Sequence, residues 1–191
     1  REPEDIIKEV RIAHDAGVRH VRLGGMTDTY TYMAEGVQEL EYPVPNPEPI
    51  ARLLHGLRED ERLGILHTDN GNPSIIAEHL EPSEAITKTL VETLSDGAVL
   101  SFGLESADPT VHEANWLNCD AEQLKTAIRL INKHGRKRGE RGLPMLLPGL
   151  NFIAGLRGET EASYDLNMDL LREIRSEGLL LRRINIRQVE G

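Results

Sequence analysis

Residues 149–160, Gly-Leu-Asn-Phe-Ile-Ala-Gly-Leu-Arg-Gly-Glu-Thr, constrain the chain most. An apolar run from Leu150 to Ala154 reads as a buried strand. It runs into a turn holding Gly155 and Gly158, and a helical pattern follows from Glu161. Glycine has no Cβ, so the backbone can turn sharply there and lie close to a flat ligand. The helix start offers unpaired N–H groups beside the turn. Parallel α/β folds place ligands at the carboxyl ends of their strands with units of this kind. A tight turn without a ligand would carry the same residues.

The unit recurs along the chain. Apolar residues at helical spacing predict helices over 3–16, 49–59, 84–94 (capped by Ser83), 121–134 (capped by Asp120) and 161–177, with short ones at 74–78 and 109–115. Between them stand five strand-like runs, 20–23, 63–67, 98–102, 150–154 and 183–189. Strands alternating with helices imply an α/β fold: a parallel sheet with right-handed crossovers, its strand ends on one rim. Thr68-Asp69-Asn70-Gly71 is read as turn, and Arg136–Arg141 as a solvated linker. Thr27–Asn46 has no clean period and is read as a long loop on the ligand face, with Tyr30, Tyr32 and Arg187-Gln188 also on the open rim.

Composition excludes several classes. The 191 residues form one domain, 1–191. A net charge of −10 argues against broad attraction to nucleic acid, which is left to regions outside this chain. No apolar run is long enough for a bilayer, so no membrane partner is expected. The single cysteine, Cys119, excludes an internal disulfide and fits a reducing, cytoplasmic setting. It also excludes a cysteine-held metal cluster made by this chain alone. The chain opens at Arg1 on a helical pattern and closes just after a strand, as a segment of a longer protein would.

Five strand ends together resemble the radical S-adenosylmethionine (radical SAM) superfamily, in the branch of methylthiotransferases and oxygen-independent coproporphyrinogen oxidases. Val21-Arg22-Leu23-Gly24-Gly25 looks like the family's second strand, whose glycine pair meets the methionine amino group; the usual Glu is replaced by Met26-Thr27. His67-Thr68-Asp69-Asn70-Gly71-Asn72-Pro73 resembles the third strand end. Gly103-Leu104-Glu105-Ser106 is similar to the Gly-Leu-Glu-Ser signature in which the acid holds the ribose hydroxyls. The basic residue a dozen positions later is Leu117 here, leaving Asn115 or Arg22 to meet the SAM carboxylate. Phe152–Thr160 is close to Ile-x-Gly-x-x-Gly-Glu-Thr, and Ile184-Asn185-Ile186 would close the adenine pocket. The Ile-Arg-Gln-Val near the end resembles archaeal members with a C-terminal helix-hairpin-helix.

The resemblance implies a partial (β/α) TIM-like barrel lacking its first strand and cluster loop, which leaves an open sheet edge. It implies a SAM site at Gly24, Gly25, Asp69, Asn70, Glu105, Ser106, Ile153, Gly155 and Ile186. It implies S-adenosylmethionine and a [4Fe-4S] cluster in the full-length protein, with cluster cysteines upstream of Arg1, an electron donor and an unknown substrate. The fragment itself is expected to bind neither cofactor and to be inactive. Glu159 is read as capping the following helix, and His67 as a hydrogen-bonded rim residue. A different (β/α) barrel enzyme, a metal-dependent hydrolase or lyase using His67, Asp69 and Glu105, stays open, as does a non-catalytic binding module.

Overall fold

A computed structural model describes residues 1–189. Helix α1 (Pro3–Asp15) leads into β1 (His20–Leu23), α2 (Pro47–Arg58), β2 (Ile65–Thr68) and β3 (Asn70–Gly71). Then come α3 (Pro73–Glu78), α4 (Leu80–Thr93), β4 (Ala98–Glu105), α5 (Pro109–Asn115) and α6 (Ala121–Gly135). The chain continues with β5 (Leu146–Ala154), α7 (Glu161–Ser176) and β6 (Arg183–Gln188). Every strand pairing is parallel, as the alternation predicts. β1 pairs with β2, and β3, β4, β5 and β6 form a second set in sequence order.

The core lies between the sheet and its helices. Alternate strand residues share a face. Leu100, Phe102 and Leu104 of β4 and Leu150 and Phe152 of β5 are buried with Ile75, Ile86, Leu90, Leu124 and Ile128 from the helices. The same alternation turns Ser101, Gly103, Asn151, Arg183, Asn185 and Arg187 to the other, open face.

Several boundaries differ from the sequence reading. The second strand-like run, 63–67, pairs only from Ile65, because the Leu63 N–H closes a turn on Asp60 O at 3.0 Å. Asn70–Gly71, read as turn, is a short strand against Ser101–Phe102, so six strands form among the described residues where five are expected. β4 runs past Phe102 to Glu105, and β5 begins at Leu146 rather than Leu150. Pro148 is tolerated inside β5 because its nitrogen faces the side on which β6 pairs only from Arg183 onward. Its carbonyl, on that side, accepts from Arg182 N at 2.8 Å.

Ser83 does not cap α4; the helix starts at Leu80 and buries Ser83 in its second turn. α2 starts two residues early because Asn46 caps it, with Pro47 in the first turn. Within 27–46, Tyr30 is not at the ligand face. It is 0% exposed, and its hydroxyl bonds Thr87 Oγ1 at 2.8 Å. Tyr32 donates to Arg1 O at 2.8 Å. The linker 136–141 is anchored too, since Arg141 grips Asp96 through its backbone and guanidinium.

Candidate functional site

The end of β4 is built around Glu105. The register slips between Gly103 and Glu105, so Leu104 is an extra residue that bulges the strand. Glu105 takes the left-handed backbone conformation, φ 69°, which favours glycine. Such conformations persist where the surrounding structure imposes them, and they concentrate at functional sites. Gly103 makes room for the carboxylate: a Cβ there would sit 2.6 Å from Glu105 Oε1.

The carboxylate faces a cavity of about 370 Å³ whose wall includes Asn70, Ser101, Asn118, Asn151 and Arg187. Burial raises the Glu105 pKa above the ordinary carboxylate value, and the Arg187 guanidinium partly offsets that rise. Trp116 borders the same cavity, left-handed at φ 50° and 88% exposed. Thus two of the three described non-glycine residues with positive φ line this one cavity.

The two loops after β4 and β5 are tied together. Asn115 donates to Arg157 O at 2.8 Å and accepts from Arg157 N at 3.3 Å. Ser163 donates to Asp108 Oδ2 at 2.6 Å, and Ala107 N donates to Asn167 Oδ1 at 2.6 Å. Gly155 and Gly158 turn at φ 87° and 84°. Glu159 accepts from the Gly155 N–H inside this turn, and Thr160 with Ser163 forms the capping box of α7. Glu159 therefore clamps the turn, where a helix cap is expected.

The nominated residues fall into separate groups. Asn70 and Glu105 meet on the cavity. Ser106 is fully buried beneath it, its hydroxyl accepting from Asp108 N at 3.2 Å and its carbonyl facing His112 Nε2. Ile153 and Ile186 line a different, apolar hollow of about 120 Å³ with Phe152, Tyr164, Met168 and Ile184. Ile186 stays 74% exposed. Gly24 and Gly25 end β1 near Asp69, where a Cβ on Gly24 would lie 3.8 Å from Asp69 Oδ2. Asp69 is ion-paired with Arg22, so neither group is free. Both residues nominated for the SAM carboxylate, Asn115 and Arg22, are thus engaged by protein partners.

His67 is half-buried; its Nε2 has no partner, burial lowers its pKa, and backbone hydrogen bonds at Asp96 and Ser95 oppose that shift. His67, Asp69 and Glu105 do not gather: among the described residues no group of three acidic, His or Cys side chains could hold a metal ion. Cys119 is buried, its Sγ faces Asp120 O at 3.2 Å, and burial pushes its thiol pKa up. A single inert thiol does not fit a [4Fe-4S] cluster.

Sequence reasoning missed the polar rungs of the open face. Arg183 donates to Ser101 Oγ at 2.8 Å, and Asn185 donates to Asn151 Oδ1 at 2.8 Å. The signal was present as strict alternation in Arg183-Ile184-Asn185-Ile186-Arg187.

The profile of the radical SAM superfamily matches residues 1–171. An uncharacterized protein of Archaeoglobus fulgidus is 45% identical over 193 aligned residues, covering 100% of this chain and 36% of that protein. An uncharacterized protein of Methanocaldococcus jannaschii is 40% identical over 189 residues, covering 99% of this chain and 35% of that protein. The chain therefore spans about a third of the length of these relatives. Among solved structures, a GH18 chitinase from Pseudoalteromonas aurantia aligns with a TM-score of 0.52 at 11% identity, over 98% of this chain and 63% of that one. That likeness is one of fold alone. No described helix is long and apolar enough to cross a membrane.

Proposed function

The chain belongs to the radical SAM superfamily, and from that premise we propose that the Glu105 cavity holds the adenosyl part of S-adenosylmethionine in a radical SAM enzyme of undetermined substrate. The observation that carries this reading is Glu105 itself: a strained, half-buried carboxylate, given room by Gly103 and facing a cavity of about 370 Å³. A carboxylate so placed accepts hydrogen bonds from two neighbouring hydroxyls, as a ribose presents them. Asn70 and Asn151 add amide groups on the same wall. The loop Gly155–Gly158, braced by Asn115, lies outside that cavity's lining and is proposed to offer a backbone edge to the flat ring.

S-adenosylmethionine with a [4Fe-4S] cluster supplies reductive cleavage and a hydrogen-abstracting radical. The residues of this chain do not fit the cluster, so its cysteines are assigned to another part of the longer protein, and the present chain is proposed to be inactive alone. The methylthiotransferase and coproporphyrinogen-oxidase branch is supported by Gly103–Ser106 and Phe152–Thr160. The archaeal helix-hairpin-helix group is supported by Ile-Arg-Gln-Val, and a cytoplasmic setting by the lone thiol. An external electron donor completes the proposal.

The test uses the full-length protein, reconstituted anaerobically with iron and sulfide and reduced with dithionite. Formation of 5′-deoxyadenosine from S-adenosylmethionine is the expected outcome. A protein that carries the cluster, binds nothing adenosyl-like and forms no deoxyadenosine would contradict the reading.

A further inference from the structure

The open face of the sheet carries a feature that adenosyl binding does not use. The register stacks Ser101, Gly149 and Arg183 on one rung, and Gly103, Asn151 and Asn185 on the next. Ile153 and Arg187 form the third, beside Glu105. Arg183 lies flat across Gly149: a Cβ there would come within 3.1 Å of Arg183 Cγ and 3.2 Å of its Nε. Its far end is held by Ser101 Oγ at 2.8 Å. Gly149 and Ser101 together form a cradle for an extended guanidinium.

These charges are not held in ion pairs, although Arg187 lies near enough to Glu105 to offset part of its raised pKa. Among the described residues, neither Arg183 nor Arg187 forms an ion pair, whereas Arg22, Arg52, Arg62, Arg129 and Arg141 all do. Arg183 meets only a neutral hydroxyl. Asn151 accepts from Asn185, and among the described residues its own amide nitrogen donates to no protein group. In a chain of net charge −10, two guanidiniums without an ion pair among the described residues stand on one face against the general field. Four strand residues apart, their Cα atoms are roughly 13 Å distant, and the reach of two arginines closes much of that span. Planar guanidinium groups match carboxylate and phosphate oxygens in pairs.

We propose that the open face of β4, β5 and β6 is an anion-binding track, and that the molecule transformed at the adenosyl cavity is an organic anion whose carboxylate or phosphate is held by Arg187 and Arg183. The proposal rests on the adenosyl reading for the identity of the neighbouring site, but not for the anion binding itself. The bland alternative, in which Arg183 only braces the sheet, predicts no anion affinity.

The experiment is a calorimetric titration of the full-length protein with inorganic phosphate and, separately, with succinate. Saturable binding of either probe is expected, weakened at least tenfold in the double variant Arg183→Gln/Arg187→Gln and unchanged in Arg136→Gln, which removes a charge elsewhere. Binding of phosphate alone points to a phosphate ester; binding of both admits carboxylates. No saturable binding of either probe, or equal binding by wild type and double variant, overturns the proposal. A measurement on the unaltered protein guards against misfolding of the variant. Phenylglyoxal labelling, mapped by mass spectrometry, should fall at Arg183 and Arg187 when phosphate is present, and equal labelling overturns the proposal. Glu105→Gln separates the two readings: it should weaken S-adenosylhomocysteine binding and leave the anion titration in place. Unchanged nucleoside binding with an intact anion titration would sink the adenosyl reading alone.

Discussion

Replacing Glu105 by Gln tests the site where function and stability pull in opposite directions. A hydrogen bond to a charged acceptor contributes about 1.5–3 kcal/mol and a neutral one about 0.5–1.5 kcal/mol. Two ribose hydroxyls therefore lose about 2 kcal/mol together, roughly a 30-fold weaker Kd for S-adenosylhomocysteine. Stability moves the other way. Burial raises the Glu105 pKa above its unfolded value. The folded state then binds the proton more tightly, so stability is full below the unfolded pKa and falls as pH rises through the folded one. Glutamine removes that loss, and the variant should melt higher than wild type at pH 7.5, the gain vanishing well below pH 4.5. Calorimetric titration and thermal melts across pH read both effects. An affinity within threefold of wild type, or a lower Tm at pH 7.5, would rule out a ribose-binding, destabilising Glu105 carboxylate.

Other substitutions probe the scaffold. Gly103→Ala places a Cβ 2.6 Å from the mobile end of Glu105, so it should weaken nucleoside binding as Glu105→Gln does while changing Tm little. Gly135→Ala is different: its Cβ would meet the Leu146 carbonyl oxygen at 2.0 Å, backbone that cannot swing away. Prying α6 from β5 should destabilise by about 3 kcal/mol, a Tm loss of roughly 6–12 °C by thermal melt. Glu84 accepts from Lys133 and His134 of α6, which hold its pKa at about 2, below the usual 4.5. A depressed carboxylate contributes stability above its unfolded pKa that fades as pH falls toward its folded one. The Tm gap between wild type and Glu84→Gln should thus be present at pH 7 and close between pH 4.5 and 2.

Much of the fold was legible because its signals are local. Helical periodicity marked α6 and α7, and Asp120 caps α6 in a full capping box. Parallel pairing followed from the alternation of strands and helices. What was missed depends on contacts distant in sequence. Asn70-Gly71 has the composition of a turn and becomes a strand only because β4 offers a paired edge. Tyr30 reads as a rim aromatic, yet a hydroxyl 57 residues away, on Thr87, receives it in the core. In the site, Glu105 was legible from its signature. Its strain and its cavity were not, since a bulge needs the partner strand to define it. Asp69 and Arg22 each looked available in sequence, and their mutual pairing across β1 and β2 is a matter of register.

The proposed function turns on whether Glu105 receives an adenosyl ribose in the cavity at the end of β4. A crystal structure of the full-length protein with S-adenosylhomocysteine tests it most directly. Both ribose hydroxyls should lie within about 2.5–3.0 Å of the Glu105 carboxylate oxygens. A ribose bound elsewhere, with Glu105 facing only solvent, would contradict it.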